Sequence, residues 1–206
     1  MLILPQAQRA ISSTLVEELE EEVVISTNSI RLAVDRHTCA FSWADSAGKT
    51  LVREPERDGK ILSENSLADH KTYSSRLSLV LSEGEAIYGL GQHEEGVFNY
   101  RGHSEYVYHH NLKVAMPVLV STNGYAFLFD SCSLGNFHDD QYGTYYWSEV
   151  EDEMDFYFIY GPEFDEMISG IRRLTGKQSM LPKWAYGYVQ SKERYKTQDE
   201  LIAVVK

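Results

Sequence analysis

The feature that most limits what this chain can fold into is a succession of short apolar segments, each bounded by turn residues, between residues 23 and 160. Ile30, Leu32 and Val34 alternate with Arg31, Ala33 and Asp35, and Leu77, Leu79 and Leu81 alternate with Ser78 and Val80. Segments 40–43 and 50–52 flank Asp45, Ser46 and Gly48, while 114–120 and 125–130 flank Thr122-Asn123-Gly124. The Asp, Ser and Gly of the first turn and the Asn-Gly pair of the second, which tolerates positive φ, predict a hairpin at each. With further segments at 23–26, 86–88, 105–109, 144–147 and 154–160, about ten strands recur at the spacing of a β-sandwich or barrel. Glutamate-rich residues 16–22 read as a solvated approach to the first strand, and residues 53–65, with Pro55 and Gly59, as a long surface loop.

The period changes near residue 162. Phe164, Met167, Ile168, Ile171 and Leu174 share one helical stripe, so a helix is expected near 162–174. Pro162 suits a first helical position, Glu163, Asp165 and Glu166 oppose the positive end of the dipole, and Gly176 stops the helix. Residues 1–176 therefore form one domain, with 177–183 a linker. Beyond it, residues 184–189 read as a strand, 190–196 as a polar loop, and Thr197 with Glu200 as a capping box before Leu201, Ile202, Val204 and Val205. One β/α unit cannot bury its strand without parallel neighbours, so residues 184–206 are expected to be the start of a larger β/α assembly. The bland alternative is a lone helix docked on the preceding domain.

The 206 residues suffice for a large domain with a sizeable core. Asp and Glu number 31 against 19 Lys and Arg, a net charge of −12 that argues against nucleic acid as a partner. Cys39 and Cys132 read as buried free thiols rather than a disulfide framework, favouring a reducing compartment. The N-terminal residues lack the basic and long apolar regions of a signal peptide, and no run is long enough to span a membrane. A cytoplasmic location with no membrane partner is the resulting expectation.

Chemistry is harder to place. Gly89 and Gly91 lack a third glycine at the dinucleotide spacing and read as close backbone packing. His103, His109, His110 and His138 with Asp139 and Asp140 lack metal-ligand spacing, and Ser131 lacks a nucleophile elbow. No acidic residue stands in the apolar setting that raises a pKa for acid catalysis. Neither a metal nor a cofactor is expected.

The motifs Tyr88-Gly89-Leu90-Gly91-Gln92, residues 99–102, Met116-Pro117-Val118-Leu119-Val120-Ser121, Asn123-Gly124-Tyr125, Gly161-Pro162 and Leu174-Thr175-Gly176-Lys177 resemble family 31 of the glycoside hydrolases. Leu181-Pro182-Lys183-Trp184-Ala185-Tyr186-Gly187-Tyr188 with Gln190-Ser191-Lys192-Glu193-Arg194-Tyr195 is similar to the entry of that family's catalytic barrel. The resemblance implies a mainly β fold: a galactose-mutarotase-like β-sandwich followed by the start of a (β/α)8 barrel. It implies retaining hydrolysis of terminal α-linked sugars, α-glucosides or α-xylosides, by two aspartates on later barrel strands.

This chain would then supply a scaffold and one pocket wall, inactive alone, with carbohydrate and the rest of the barrel as partners. The matching pocket loop is residues 92–103, where Gln92, Asn99 and Arg101 stand as substrate-binding candidates, joined by Gln190 and Arg194 from the barrel entry. Where many α-glucosidases carry an aspartate in this loop, Asn99, Tyr100 and Arg101 look closer to the α-xylosidase branch. His109 and Asn111 could approach the same pocket, although positions on a surface loop are the plainer reading. Apolar surface left at the incomplete barrel unit predicts self-association into a homo-oligomer. The alternative is a non-catalytic carbohydrate-binding module, with Tyr100, Tyr106, Tyr108, Tyr145 or Trp147 stacking on sugar. A free-standing mutarotase ranks below both, for want of a placed histidine and glutamate pair.

Overall fold

The computed structural model describes residues 13–205, which fall into two compact units that divide after Gly176. Among the described residues the first contains fourteen antiparallel strands in three sheets. Strands β1 (Leu15–Glu18), β2 (Glu22–Ser26), β3 (Ile30–Asp35), β4 (Phe41–Asp45) and β5 (Thr50–Arg53) form a five-stranded meander in chain order. A second sheet runs β6 (Lys60–Leu67), β7 (His70–Leu79), β13 (Gly143–Glu151), β12 (Gly135–Asp140), β9 (Ser104–Val107). The third runs β14 (Phe156–Tyr160), β11 (Tyr125–Phe129), β10 (Val114–Ser121), β8 (Ile87–Gln92).

The four-stranded sheet is buried on both faces, which explains why β11 reads as an unbroken apolar run with every residue buried. Leu119, Tyr125 and Phe127 point to one face, where they join Trp43, Leu77, Ile87, Leu90, Phe137 and Tyr146 from all three sheets in the main core. Trp43 stacks on Phe158 with ring centroids 5.1 Å apart and meets the edge of Phe127 at 5.5 Å. Val118, Val120, Ala126, Leu128 and Ile159 point to the other face, which helix α1 (Phe164–Thr175) covers with Met167 and Ile171. The approach is close: a Cβ on Gly170 would overlap the Ile159 side chain.

Several sequence expectations change. Helix α1 begins two residues later than Pro162, with Glu163 as its N-cap, and the Glu166 carboxylate accepts the Glu163 N–H at 3.1 Å. Residues 53–65 are not all loop, because Lys60–Leu67 pairs along its whole length with β7. That strand is polar and largely exposed, so it carries no alternation to read. β12 has the composition of a turn, yet Phe137 and Asp139 are buried and both flanks are paired. β1 lies within the glutamate-rich approach, paired to β2 on one side only. Cys39 and Cys132 are free but exposed, not buried, since each sits in a connection rather than in a strand.

The second unit also departs from expectation. Residues 184–189 form no strand; Lys183–Tyr186 is instead a single 3-10 turn. A strand holds its extended backbone by pairing N–H and C=O groups across a ladder, and the described residues of this unit include no other strand to pair with. Trp184, Tyr186 and Tyr188 are left well exposed. The helix forms as expected, α2 at Gln198–Val205, with the Thr197 hydroxyl accepting the Glu200 N–H at 3.2 Å. The Glu200 carboxylate reaches one residue further back than a capping box requires, accepting the Lys196 N–H at 2.9 Å. Leu201, Ile202, Val204 and Val205 remain exposed.

Candidate functional site

The candidate loop, residues 92–103, joins β8 to β9. Its entry is fixed by three consecutive residues with positive φ, Gly89 (104°), Leu90 (60°) and Gly91 (106°). They bend β8 tightly against β10, so close that a Cβ on Gly89 or Gly91 would overlap the carbonyl oxygen of Val118 or Val114. Glycine there answers a backbone demand, as the sequence reading held. The β10 partner shifts register between Ala115 and Leu119 to accommodate the bend.

The loop then closes on itself. The Asn99 Oδ1 accepts the N–H groups of Ile87 at 3.0 Å and Arg101 at 3.1 Å, and the Tyr100 N–H donates to the Ile87 carbonyl at 2.8 Å. Tyr100 is thereby buried beside Phe137, with 6.4 Å between ring centroids. Arg101 turns to the fold as well, its Nε lying 3.1 Å from Asp139 Oδ2 and its Nη1 donating to the Ser82 carbonyl at 3.3 Å. Asp139 further accepts the Gly102 N–H at 2.6 Å and the Thr144 hydroxyl. Asn99 and Arg101 thus shape the loop, whereas Gln92 and Phe98 are exposed, Phe98 to 80% with its ring 4.9 Å from Tyr88.

Beneath the loop entry lies a polar cluster absent from the sequence reading. The His93 side chain is buried, donating from Nε2 to the Leu90 carbonyl at 2.8 Å, and its Nδ1 stands 3.4 Å from Glu105 Oε1. Lys113 donates to Glu105 at 3.0 Å and contacts Glu95. The Lys113 hydrogen bond holds the Glu95 carboxyl below its usual range, and Glu95 in turn raises the Lys113 ammonium. A signal for Glu105 was present: it shares the inward phase of β9 with Val107, as Asp139 shares that of β12 with Phe137. Acidic residues in an inward phase mark buried polar partners.

Other buried acids also hold the fold. Glu85 accepts hydrogen bonds from Ser121, Tyr125 and the Ser82 N–H, the last at 2.7 Å. Burial first, then the Glu85 charge, pushes the Tyr125 phenol well above its usual range. Burial raises Glu54 despite its contact with Lys60, which corrects the expectation that no carboxyl has a raising environment. His138 bridges Ser104, at 2.6 Å from Nδ1, and Asp140, at 3.0 Å from Nε2, clamping β9 to β12 at the sheet edge. His103, His109 and His110 are exposed.

A cavity of about 790 Å³ opens elsewhere, lined by Tyr108, His109, Met116, Pro117, Leu134, Ile171 and their neighbours. No Asp or Glu lines it, so it offers none of the paired carboxyl chemistry of glycoside cleavage. His109 lines this cavity. Gln190 and Arg194 belong to the second unit, where both are exposed. Gln190 bonds Tyr188 and donates to the Tyr195 hydroxyl at 2.9 Å. No helix among the described residues is long and apolar enough to cross a membrane.

These strands and motifs have relatives. Over 194 residues the chain is 40% identical to an α-xylosidase of Saccharolobus solfataricus, covering 89% of this chain but 26% of that protein. It therefore spans about a quarter of that relative's length. A family 31 α-xylosidase of Xanthomonas citri superposes with TM-score 0.81 at 19% identity, covering 94% of this chain and 37% of the other. A family 31 α-xylosidase from a soil metagenome, solved with xylose, gives TM-score 0.82 at 24% identity over 98% of this chain and 32% of its own. At those identities the two structures attest the fold. The glycosyl hydrolase 31 N-terminal galactose mutarotase-like domain matches residues 3–137, and a mainly β chain of packed antiparallel sheets with that match belongs to glycoside hydrolase family 31.

Proposed function

We propose that this chain is the N-terminal part of a retaining α-glycosidase that hydrolyses terminal α-linked sugars, with α-xylosides favoured over α-glucosides. The observation that carries this reading is the 40% identity with an α-xylosidase over 89% of the chain. Retention requires two carboxyl groups about 5–5.5 Å apart, one the nucleophile and the other the acid/base. Both would come from the remainder of the barrel, the partner of this chain, and the chain alone would be inactive.

Its contribution to the site is positional. The loop 92–103, braced by Asn99 and Arg101, presents Gln92 and Phe98 as one wall of a sugar pocket; Gln190 and Arg194 are substrate-binding candidates of the barrel entry. Residues 1–176 act as the sandwich, 177–183 as the linker and 184–206 as the first barrel unit, whose 184–189 segment becomes a strand once neighbours are present to pair with it. A cytoplasmic enzyme with no nucleic-acid partner, self-associating through its barrel, completes the reading.

The test is to assay the complete protein on p-nitrophenyl α-xyloside and α-glucoside, with and without Gln92→Ala. Hydrolysis with retention, faster on the xyloside, and a raised KM in the variant are expected; no glycosidase activity would overturn the reading. A carbohydrate-binding module is the second reading, favoured by the exposed row Tyr106, Tyr108 and His110, whose neighbouring rings are 6.4 Å and 4.9 Å apart. Sugar binding by the isolated chain that is lost in Tyr108→Ala would support it.

A further inference from the structure

We propose that His93, Glu95 and Glu105 form a site for a divalent cation of the zinc class, which Lys113 occupies in the absence of metal. The three side chains offer ligand atoms that all lie within 4.8 Å of one another. The independent observation is His93 itself, whose side chain is 3% exposed and whose Nδ1 has no hydrogen-bond partner. Because Nε2 donates to the Leu90 carbonyl, which can only accept, the proton of a neutral ring is on Nε2 and Nδ1 presents a lone pair. A histidine fixed in this way by a backbone carbonyl has the usual arrangement of a metal ligand.

That lone pair points at a carboxylate. Two electron-rich atoms 3.4 Å apart repel unless a proton or a metal ion stands between them, and the titration below distinguishes the two. Zinc bonds of about 2.0–2.1 Å in tetrahedral geometry place neighbouring ligand atoms about 3.3–3.4 Å apart, so the His93 to Glu105 distance is already one edge of such a site. Glu95 supplies a third ligand after a small shift, and a water would complete the four. The nitrogen donor disfavours calcium and magnesium, and the absence of thiolate disfavours copper(I).

Lys113 shows that the two carboxylates call for positive charge, since its ammonium meets both, Glu105 at 3.0 Å. It makes no bond to His93 Nδ1 and so leaves the lone pair unanswered. Glu95 is 46% exposed, which gives a displaced lysine a way out to solvent. Bound metal would tie residues 93 and 95, at the start of the loop, to Glu105 on β9, fastening the loop entry as Asp139 fastens its exit.

The test uses the 206-residue chain with both cysteines replaced by serine, stripped with chelator and titrated with zinc chloride by calorimetry. Expected are saturable binding of one ion, weakening by about tenfold or more in Glu95→Gln, and tightening by about tenfold in Lys113→Met, which removes the competing ammonium. Magnesium chloride should not compete. Binding unaffected by Glu95→Gln, or no zinc binding even in Lys113→Met, would overturn the proposal and leave His93 as a protonated partner of Glu105. Glu95→Gln lies at an exposed position, so it decides the matter even where Lys113→Met fails to fold.

Discussion

The guanidinium of Arg101 meets the carboxylate of Asp139 at 3.1 Å, and the same carboxylate oxygen accepts the Gly102 N–H at 2.6 Å. One buried acid thus anchors the exit of the candidate loop to β12, while the other carboxylate oxygen takes the Thr144 hydroxyl. Removing Arg101 leaves Asp139 buried with two of its three donors, so Arg101→Ala should cost about 1–3 kcal/mol. Asp139→Ala, which strands three donors, should cost more. Urea unfolding of both variants checks the order, and equal or negligible losses would show the anchor to be idle.

Gly89 and Gly91 combine positive φ with backbone contact that leaves no room for a methyl group. Gly89→Ala and Gly91→Ala should each lose more than about 2 kcal/mol, because strain and overlap add. Gly48→Ala, at positive φ but in open space, is the control and should lose less. Thermal melting of the three variants separates conformation from crowding.

Tyr125 donates to Glu85 inside the core, and burial with the nearby carboxylate holds its phenol protonated far above the usual range. Tyr146 is raised too, first by burial and then by Glu151. An ultraviolet titration should therefore show these two phenols silent until the chain unfolds. Tyr125→Phe should cost about 1–3 kcal/mol by leaving Glu85 a donor short.

Glu54 is raised above its ordinary value of 4.5 because burial outweighs the attraction of Lys60. Its folded form therefore holds a proton more tightly than its unfolded form. The contribution is full below about 4.5 and is lost as pH rises through the higher folded value, since the unfolded chain then ionises more readily. The stability of Glu54→Gln relative to the parent should accordingly be greater at pH ~7 than at pH ~4. A difference that shrinks with rising pH would mean that the Lys60 contact dominates.

Cys39 and Cys132 are exposed and unpaired. Both thiols should react with a disulfide reagent in the native chain as quickly as after unfolding, and protection of either would contradict its exposure.

Much of the fold was legible because its signals are local. Alternation in β3 and at the end of β7, the Asn-Gly turn between β10 and β11, the stripe of α1 and the Thr197 cap of α2 each depend on a few adjacent residues, and an element forms at each of them, with bounds that differ for β7 and α1. The family motifs were legible for a related reason: glycines such as Gly89 and Gly91 serve a fixed backbone geometry that tolerates no other residue. What could not be read locally was partnership. β6 and β12 lack alternation and are strands because neighbours pair with them; residues 184–189 have the apolar composition of a strand and are not one, because the described residues of this unit offer none.

The candidate site divides in the same way. The sequence by itself determined which residues populate the loop, and offered Gln92, Asn99 and Arg101 as its substrate-binding candidates. Only the tertiary structure decided that Asn99 spends its hydrogen bonds on the loop's closure and Arg101 on Asp139 and the Ser82 carbonyl, and that His93, Glu95, Glu105 and Lys113 converge. The physical reason is that hydrogen bonds and charges act over a few ångströms of space whatever the separation along the chain, so a cluster spread over residues 93 to 113 exists only once β8, β9 and β10 have brought its members together.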